Sequence, residues 1–111
     1  MVDYEVIWSR EAIYDMSDIA DYVELAFGED RADEFVDEIN QTIQELGTKF
    51  KLCTGVGIFY KEKLILRKIF SPSIIFFFVD EIKEKVYIIR ILRHESDWQK
   101  ILRETLCYTF E

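Results

Sequence analysis

Apolar residues recur at spacings of three and four positions along two stretches in the first half of the chain. The first stretch follows Ser9, a good helix N-cap, and stops at Gly28; the second follows Asp30 and stops at Gly47. This spacing puts the apolar side chains on one face of a helix, so each stretch predicts an amphipathic α-helix. Because so few residues separate them, we expect an antiparallel helical hairpin. The two stripes consist of Ala12, Ile13, Met16, Ile19, Ala20, Val23 and Phe27, and of Ala32, Phe35, Val36, Ile39, Ile43 and Leu46.

The second half of the chain is rich in β-branched and aromatic residues instead. Runs at residues 64–70, 73–79 and 86–92 predict strands, and Pro72 and the polar sequence DEIKEK supply the turns between them. These three strands form a predicted antiparallel meander. A short opening strand is expected at residues 4–8, and the glycine-containing sequence TKFKLCTGVGIFYKEK is interpreted as a loop.

A final helix is predicted from Ser96 to about residue 106. Ser96 and Gln99 stand three residues apart, the spacing at which each side chain can bond to the other's unpaired backbone N–H. The last strand therefore passes through a charged cluster directly into a helix. Together these elements predict an α+β fold, with an N-terminal strand and a helical hairpin packed on one face of an antiparallel sheet and a short C-terminal helix. At 111 residues we expect a single domain spanning residues 1–111.

Charge is divided unequally along the chain. Residues 1–50 carry three Lys or Arg against fourteen Asp or Glu, whereas residues 51–111 carry eleven against eight, so the net charge of −8 combines an acidic half with a mildly basic one. A solvated acidic helix face explains this division without any function. The alternative is a surface with two poles, one of which meets a partner.

Several function classes are disfavoured by composition. The longest apolar run, residues 74–79, is far shorter than the roughly 20 residues of a membrane-spanning helix, and the N-terminus lacks the pattern of a secretory signal. We therefore expect a cytoplasmic protein with no membrane partner. Cys53 and Cys107 are expected to be free thiols, although a disulfide stays open at this point. With one histidine and no paired cysteines, neither a metal site nor a cofactor is expected.

Segments across nearly the whole chain resemble, in order and spacing, the RelE/ParE superfamily of toxins from type II toxin–antitoxin modules. YEVIWSREAIYDMSDIADYV is similar to the opening strand and first helix of that superfamily, and RADEFVDEINQTIQEL to its second helix. LRKIF resembles a strand that carries an arginine, here Arg67, IIFFFVDE the central strand, and VYIIRILRHESDWQKIL the last strand and its exit. The resemblance implies a small cytosolic toxin that an antitoxin encoded beside it neutralises.

The superfamily divides by target, and the resemblance by itself leaves both branches open. RelE-like members cut mRNA on the ribosome, whereas ParE-like members poison DNA gyrase without known hydrolytic chemistry. Cutting RNA by attack of a 2′-OH needs a base, an acid and cations for the phosphorane charge. If this chain is a nuclease, the candidates for those roles are Arg67, Arg90, Arg93 and His94.

Two features favour the ParE-like branch. RelE-like toxins usually carry a strongly basic groove, because docking on ribosomal RNA is dominated by phosphate contacts, whereas this chain is acidic, with a sequence pI of about 4.7. The central strand of many relatives begins with a Tyr-Arg or similar pair and ends in Tyr, whereas Ser73, Ile74 and Phe77 stand at the equivalent positions of this chain. The predicted function is therefore a toxin that binds DNA gyrase. A ribosome-dependent mRNA endonuclease and a degenerate, non-toxic member are the alternatives.

The charged residues of the second half are the candidates for target binding. An equally good interpretation of Arg67 and Arg90 is that each anchors the sheet to the acidic helices through an ion pair. The expected partners are a cognate antitoxin and either gyrase or the ribosome, and direct binding of free nucleic acid is not expected. The target-binding candidates are Arg67, Lys68, Arg93, His94 and Glu95.

Overall fold

The computed structural model describes residues 3–110, which form a five-stranded sheet with three helices. The strands lie in the order β1-β5-β4-β3-β2; all neighbours are antiparallel except β1, which pairs with β5 in parallel. This arrangement confirms the predicted α+β fold. The elements are β1 (Glu5–Trp8), α1 (Arg10–Phe27), α2 (Glu29–Lys49), β2 (Thr54–Tyr60), β3 (Lys63–Phe70), β4 (Ser73–Asp80), β5 (Lys85–Arg93) and α3 (Trp98–Glu104), with a 3-10 turn at Phe50–Leu52.

The helical hairpin covers one face of the sheet. Ser9 is the N-cap of α1, as predicted, and its hydroxyl accepts a hydrogen bond from the Ala12 N–H at 3.0 Å. The predicted apolar stripes of α1 and α2 face the sheet, where each fully buried large side chain contributes about 1.5–3 kcal/mol. The buried residues of this face are Ala12, Met16, Val23, Ala32, Phe35, Ile39, Ile43, Leu46, Phe50, Ile75, Phe77, Val86, Ile88 and Ile91.

The opposite face of the sheet is also covered, which the expectation of helices on one face alone missed. α3 and the segment after it pack there, and the Trp98 ring lies 5.1 Å from the Phe76 ring. β4 is therefore buried on both faces, which explains why its apolar run is continuous instead of alternating. The buried residues of this second face are Ile58, Tyr60, Ile65, Ile74, Phe76, Phe78, Ile89, Leu92, Leu102 and Tyr108.

The interpretation of residues 48–63 as a loop was wrong, because this segment contains the edge strand β2. The ladder between β2 and β3 shifts register between Gly55 and Phe59. Gly57 lies within the shift, at φ +77°, a conformation that L side chains rarely adopt. Val56, Ile58 and Tyr60 alternate toward the second face of the sheet, but the glycines between them and the exposed Phe59 obscure this alternation in the sequence.

Both ends of α2 differ from the prediction. The helix begins at Glu29, so Gly28 is its N-cap and Asp30 lies in the first turn, where its charge favours the helix dipole. The helix also continues through Gly47 to Lys49. Gly47 serves close packing: its carbonyl accepts a hydrogen bond from the Tyr4 N–H at 2.9 Å, and an added Cβ would stand 2.5 Å from the Tyr4 carbonyl oxygen.

The last helix is shorter than predicted. α3 begins at Trp98 with Asp97 as its N-cap, because the Ser96 hydroxyl donates a hydrogen bond to the Arg93 carbonyl at 2.6 Å and closes a turn instead. The helix ends at Glu104, and the chain continues without regular secondary structure as the C-terminal strap, defined here as residues 105–110, which ends in a β-bridge between Phe110 and Ser9.

Glu11 holds the C-terminal strap against the start of α1. The Thr109 N–H donates to Glu11 Oε1 at 3.0 Å, the Thr109 hydroxyl donates to Oε2 at 3.3 Å, and the Arg10 N–H donates to the Thr109 carbonyl. Burial alone would raise the pKa of Glu11. The hydrogen bonds from Thr109 and the charge of Arg90 outweigh it, so the pKa of Glu11 lies below its ordinary value of 4.5.

This lowered pKa predicts that acid loosens the C-terminal strap. The unfolded chain binds the Glu11 proton more tightly than the native protein, so the contribution of the carboxylate is complete above about pH 4.5. It is lost as the pH falls through the lower native pKa. We expect the hydrogen-exchange protection factor of the Thr109 amide to drop over that range. In Glu11→Gln the protection factor of this amide should already be lower at neutral pH, and it should stay constant as the pH falls through the acid range. An equal drop in both proteins over that range would contradict the prediction.

Candidate partner-binding site

β5 extends beyond the end of β1, and α1 completes the edge that β1 leaves open. The Ser9 hydroxyl donates to the Ile89 carbonyl at 2.8 Å, and Asp15 Oδ2 accepts from the Ile91 N–H at 3.0 Å. The same carboxylate holds Arg90 in a bidentate pair, at 2.7 Å from Nε and 2.9 Å from Nη2. The ion pair to the acidic helices that we considered for Arg90 is therefore present in the structure.

A β-bulge moves Arg90 off the face of β5 that packs on α1, so that Arg90 lies opposite Phe76. Phe76 pairs with Arg90 whereas Phe77 pairs with Ile88, so Ile89 is the extra residue of β5. Without this insertion Arg90 would fall on the same face as Ile88, within the regular alternation of the strand. The bulge places Arg90 beside the sheet edge, where the Asp15 carboxylate meets it.

Beyond Asp15, the open edge of β5 borders a cavity of about 330 Å³ between α1 and the sheet, which we call the Tyr22–Arg93 groove. The Arg93 guanidinium carbon lies 4.7 Å from the centroid of the Tyr22 ring, a cation–π contact, and Arg93 also pairs with Glu95. Among residues 3–110, the buried Ser73 hydroxyl has no hydrogen-bond partner. The groove is lined by Asp15, Asp18, Ile19, Tyr22, Val23, Pro72, Ser73, Ile91, Leu92, Arg93 and Ser96.

The backbone of β5 also presents a donor to this groove. The His94 N–H donates to the Pro72 carbonyl at 2.9 Å, whereas the Ile91 N–H points the other way and is held by Asp15. Backbone groups alternate along an antiparallel ladder, so the Arg93 N–H points to the same open side as that of Ile91. The groove therefore combines an apolar floor, aspartates from α1 and an open strand edge.

A second cavity, the cationic pocket, lies between the end of α2 and the end of β3 and has a volume of about 280 Å³. It brings Arg67 and Lys68, two of the predicted target-binding residues, together with Lys49 from α2. Burial raises the pKa of the Cys53 thiol in its wall, and the charge of Lys68 acts against that rise. The pocket is lined by Thr42, Glu45, Leu46, Lys49, Leu52, Cys53, Thr54, Arg67, Lys68 and Ile69.

The residues that were candidates for a nuclease site lie in different parts of the structure. Arg67 lines the cationic pocket, Arg93 borders the Tyr22–Arg93 groove, and Arg90 is held in its ion pair. His94 is exposed at the exit of β5. Of the target-binding candidates, Arg93 and Glu95 form an ion pair beside His94, whereas Arg67 and Lys68 lie at the other cavity.

Tyr22, Lys49 and Ser73 are among the cavity residues that were not selected from the sequence. Tyr22 was detectable, because it is an aromatic residue outside the apolar stripe of α1. Lys49 was also detectable, as a lysine at the end of a strongly acidic hairpin. Ser73 was not, because nothing in the sequence places its hydroxyl under α1.

Residues 3–110 contain neither a metal-binding cluster nor a membrane-spanning helix. No three His, Cys, Asp or Glu side chains are grouped closely enough to hold a metal ion. No helix within that range is both long and apolar enough to cross a membrane. Cys53 and Cys107 are free thiols, as expected.

Comparison with known proteins identifies the family. No curated protein matches the chain. A solved structure described as the chromosomal ParDE TA system from P. aeruginosa is similar at a TM-score of 0.70 and 21% identity, covering 84% of this chain and 98% of that chain, a likeness that shows the shared fold. Residues 6–98, from β1 to the first residue of α3, match the family model for the ParE toxin of the type II toxin-antitoxin system parDE. The chain therefore belongs to the ParE toxin family of type II toxin–antitoxin systems.

Proposed function

We propose that this protein is the toxin of its module, that it inhibits growth by binding DNA gyrase, and that a cognate antitoxin neutralises it. Family membership over residues 6–98 supports the toxin role. The observation that supports binding over catalysis is the Arg90–Asp15 ion pair, because it engages Arg90, one of the candidate nuclease residues.

The geometry favours binding over RNA cleavage for a physical reason. General acid–base cleavage needs an acid, a base and cations within hydrogen-bond reach of one phosphate. Arg90 donates from Nε and Nη2 to Asp15, and Arg67 and Arg93 line separate cavities. Within residues 3–110, no hydrogen bond or ion pair orients the exposed His94 side chain toward Arg67 or Arg93. A toxin with this arrangement acts through contact surfaces.

The Tyr22–Arg93 groove is the proposed docking site of the antitoxin. Its open β5 edge suits an extended segment, because a strand added there pairs with backbone groups that the sheet leaves free. Asp18 favours a basic residue in that segment, because Asp15 is already paired with Arg90, and the apolar floor, which includes Ile19 and Val23, favours a large apolar side chain. The acidic helical hairpin around the groove complements the same basic segment.

Supercoiling by purified gyrase tests the proposed target. We expect micromolar protein to inhibit supercoiling or to trap cleaved DNA, and we expect preincubation with the antitoxin encoded by the neighbouring gene to restore activity. A heat-denatured sample of the same protein is the control. Full supercoiling activity at that concentration would contradict gyrase as the target.

Induction in growing cells separates the two alternatives. Inhibition of growth with intact mRNA and damaged DNA supports the gyrase proposal. Rapid cleavage of transcripts on the ribosome, lost in His94→Ala, would instead support the RelE-like endonuclease. Continued division with soluble protein present would support a non-toxic member of the family.

A further inference from the structure

The cationic pocket is a local concentration of positive charge on a protein whose net charge is −8. Lys49, Arg67 and Lys68 line it, against a single carboxylate, that of Glu45. Lys49 lies 3.6 Å from Glu45, so this carboxylate is already engaged. Within the described part of the chain, no ion pair joins Arg67 or Lys68 to a carboxylate. Two cations of the pocket are therefore available to an external anion.

Arg67 is the more informative of the two because its side chain is partly buried. Arg67 has lost part of its contact with water and has no carboxylate partner among the described residues, whereas the partly buried Arg90 is paired with Asp15. Thr54 stands opposite Arg67 in the β2–β3 ladder and lines the same cavity, so its hydroxyl is placed to donate to the same anion. Together they form a fork-shaped donor beside a hydroxyl, the arrangement that binds a carboxylate.

The rim of the pocket indicates what carries the carboxylate. Leu52 is 82% exposed and Ile69 is 53% exposed, both at the edge of the cavity. Exposed apolar side chains next to unpaired cations match a protein segment in which an acidic residue has apolar neighbours. They do not match a phosphate backbone, whose contacts are dominated by charge and which the acidic remainder of the protein repels.

We infer that the cationic pocket binds an acidic, apolar-flanked segment of the target protein, with the carboxylate on Arg67, Lys68 and Thr54. The inference rests on the proposed function for the identity of that protein. The pocket and the Tyr22–Arg93 groove have opposite chemistry: the groove borders aspartates of α1, and the pocket borders unpaired cations. Two partners of opposite charge therefore have separate sites on this protein.

A peptide with the sequence acetyl-Leu-Asp-Leu-Glu-Leu-amide probes the pocket without gyrase. In NMR spectra of ¹⁵N-labelled protein, we expect this peptide to shift the amide resonances of Thr54, Arg67 and Lys68. The matched peptide with Asn and Gln in place of Asp and Glu should shift these resonances little. In Arg67→Gln/Lys68→Gln the affinity should fall roughly tenfold or more, because the bonds to charged donors are lost. The control Lys100→Gln/Arg103→Gln removes two exposed charges from α3 and should bind as the parent does.

Three outcomes of the peptide experiment would overturn the inference. One is equal affinity for the parent and the pocket variant when both show the same thermal midpoint. Another is a set of shifted amides that lies away from the pocket. The third is that a 20-base-pair DNA duplex shifts the pocket amides more strongly than the peptide does, which would assign the pocket to nucleic acid.

Gyrase supplies an arm that separates this inference from the proposed function. If the parent inhibits gyrase, the pocket variant should need roughly tenfold more protein for the same inhibition, and the α3 control should not. Unchanged inhibition by the pocket variant would overturn the inference while leaving gyrase as the target. If the parent binds the peptide through Arg67 yet leaves gyrase active, the gyrase proposal is contradicted and the chemistry of the pocket is supported.

Discussion

Replacing Asp15 with alanine should lower the free energy of unfolding by about 3 kcal/mol, the lower end of the range for breaking a buried ion pair. The Asp15 and Arg90 side chains are 12% and 22% exposed, so water compensates only part of the loss. The substitution leaves the Arg90 guanidinium without its bidentate partner. It also removes the acceptor of the Ile91 N–H, which no strand satisfies at that edge. Urea unfolding followed by circular dichroism measures the change.

Two further variants make the Asp15 result specific. Asp18→Ala removes an exposed carboxylate one turn later on α1 and should change the stability by less than about 0.5 kcal/mol. Asp15→Leu/Arg90→Met replaces the pair with apolar side chains and should recover much of the lost stability, because no charge is left unpaired. If Asp15→Ala and Asp18→Ala were equally stable, the pair would not hold α1 to the sheet.

The sequence predicted the elements whose patterns are regular. The stripes of α1 and α2 follow the helical period over long stretches, and the N-cap at Ser9 is read from a single side chain. β3, β4 and β5 were placed by their β-branched and aromatic runs, within one or two residues of their ends. Where one local rule decides the structure, the sequence is sufficient.

The missed features depend on contacts between distant residues. Gly47 signals a helix end by its type, yet it stands inside α2 because the chain at Tyr4 approaches it closely. β2 was missed because its glycines are typical of a loop, whereas its irregular segment around Gly57 is part of the ladder with β3. The same limit applies to the sites: Arg67 and Arg93 were selected as charged residues, but the cavities they line are created by α2 and α1.

The charge division along the chain becomes a spatial division in the fold. The acidic α1 borders the Tyr22–Arg93 groove, where Arg93 is engaged by Tyr22 and Glu95. The basic residues of β3 meet Lys49 at the other cavity, where no carboxylate of residues 3–110 pairs with Arg67 or Lys68. Our proposals therefore follow the second interpretation of the charge pattern, in which the acidic and basic regions each meet a different partner. The solvated face still describes the outer side of the hairpin, where Arg31 pairs with its own helix.

Replacing Phe76 with alanine should have the largest effect on stability, a loss of about 4 kcal/mol, within the range measured for buried phenylalanines. Phe76 is fully buried in the central strand and packs against Trp98, which holds α3 on the second face of the sheet. The matched control is Phe59→Ala in the edge strand, where the ring is 63% exposed and the loss should be below about 1 kcal/mol. Urea unfolding gives both values, and the tryptophan emission, to which Trp8 and Trp98 contribute, should shift to the red in the Phe76 variant alone. Similar losses in the two variants would mean that α3 and the strap do not form a second core.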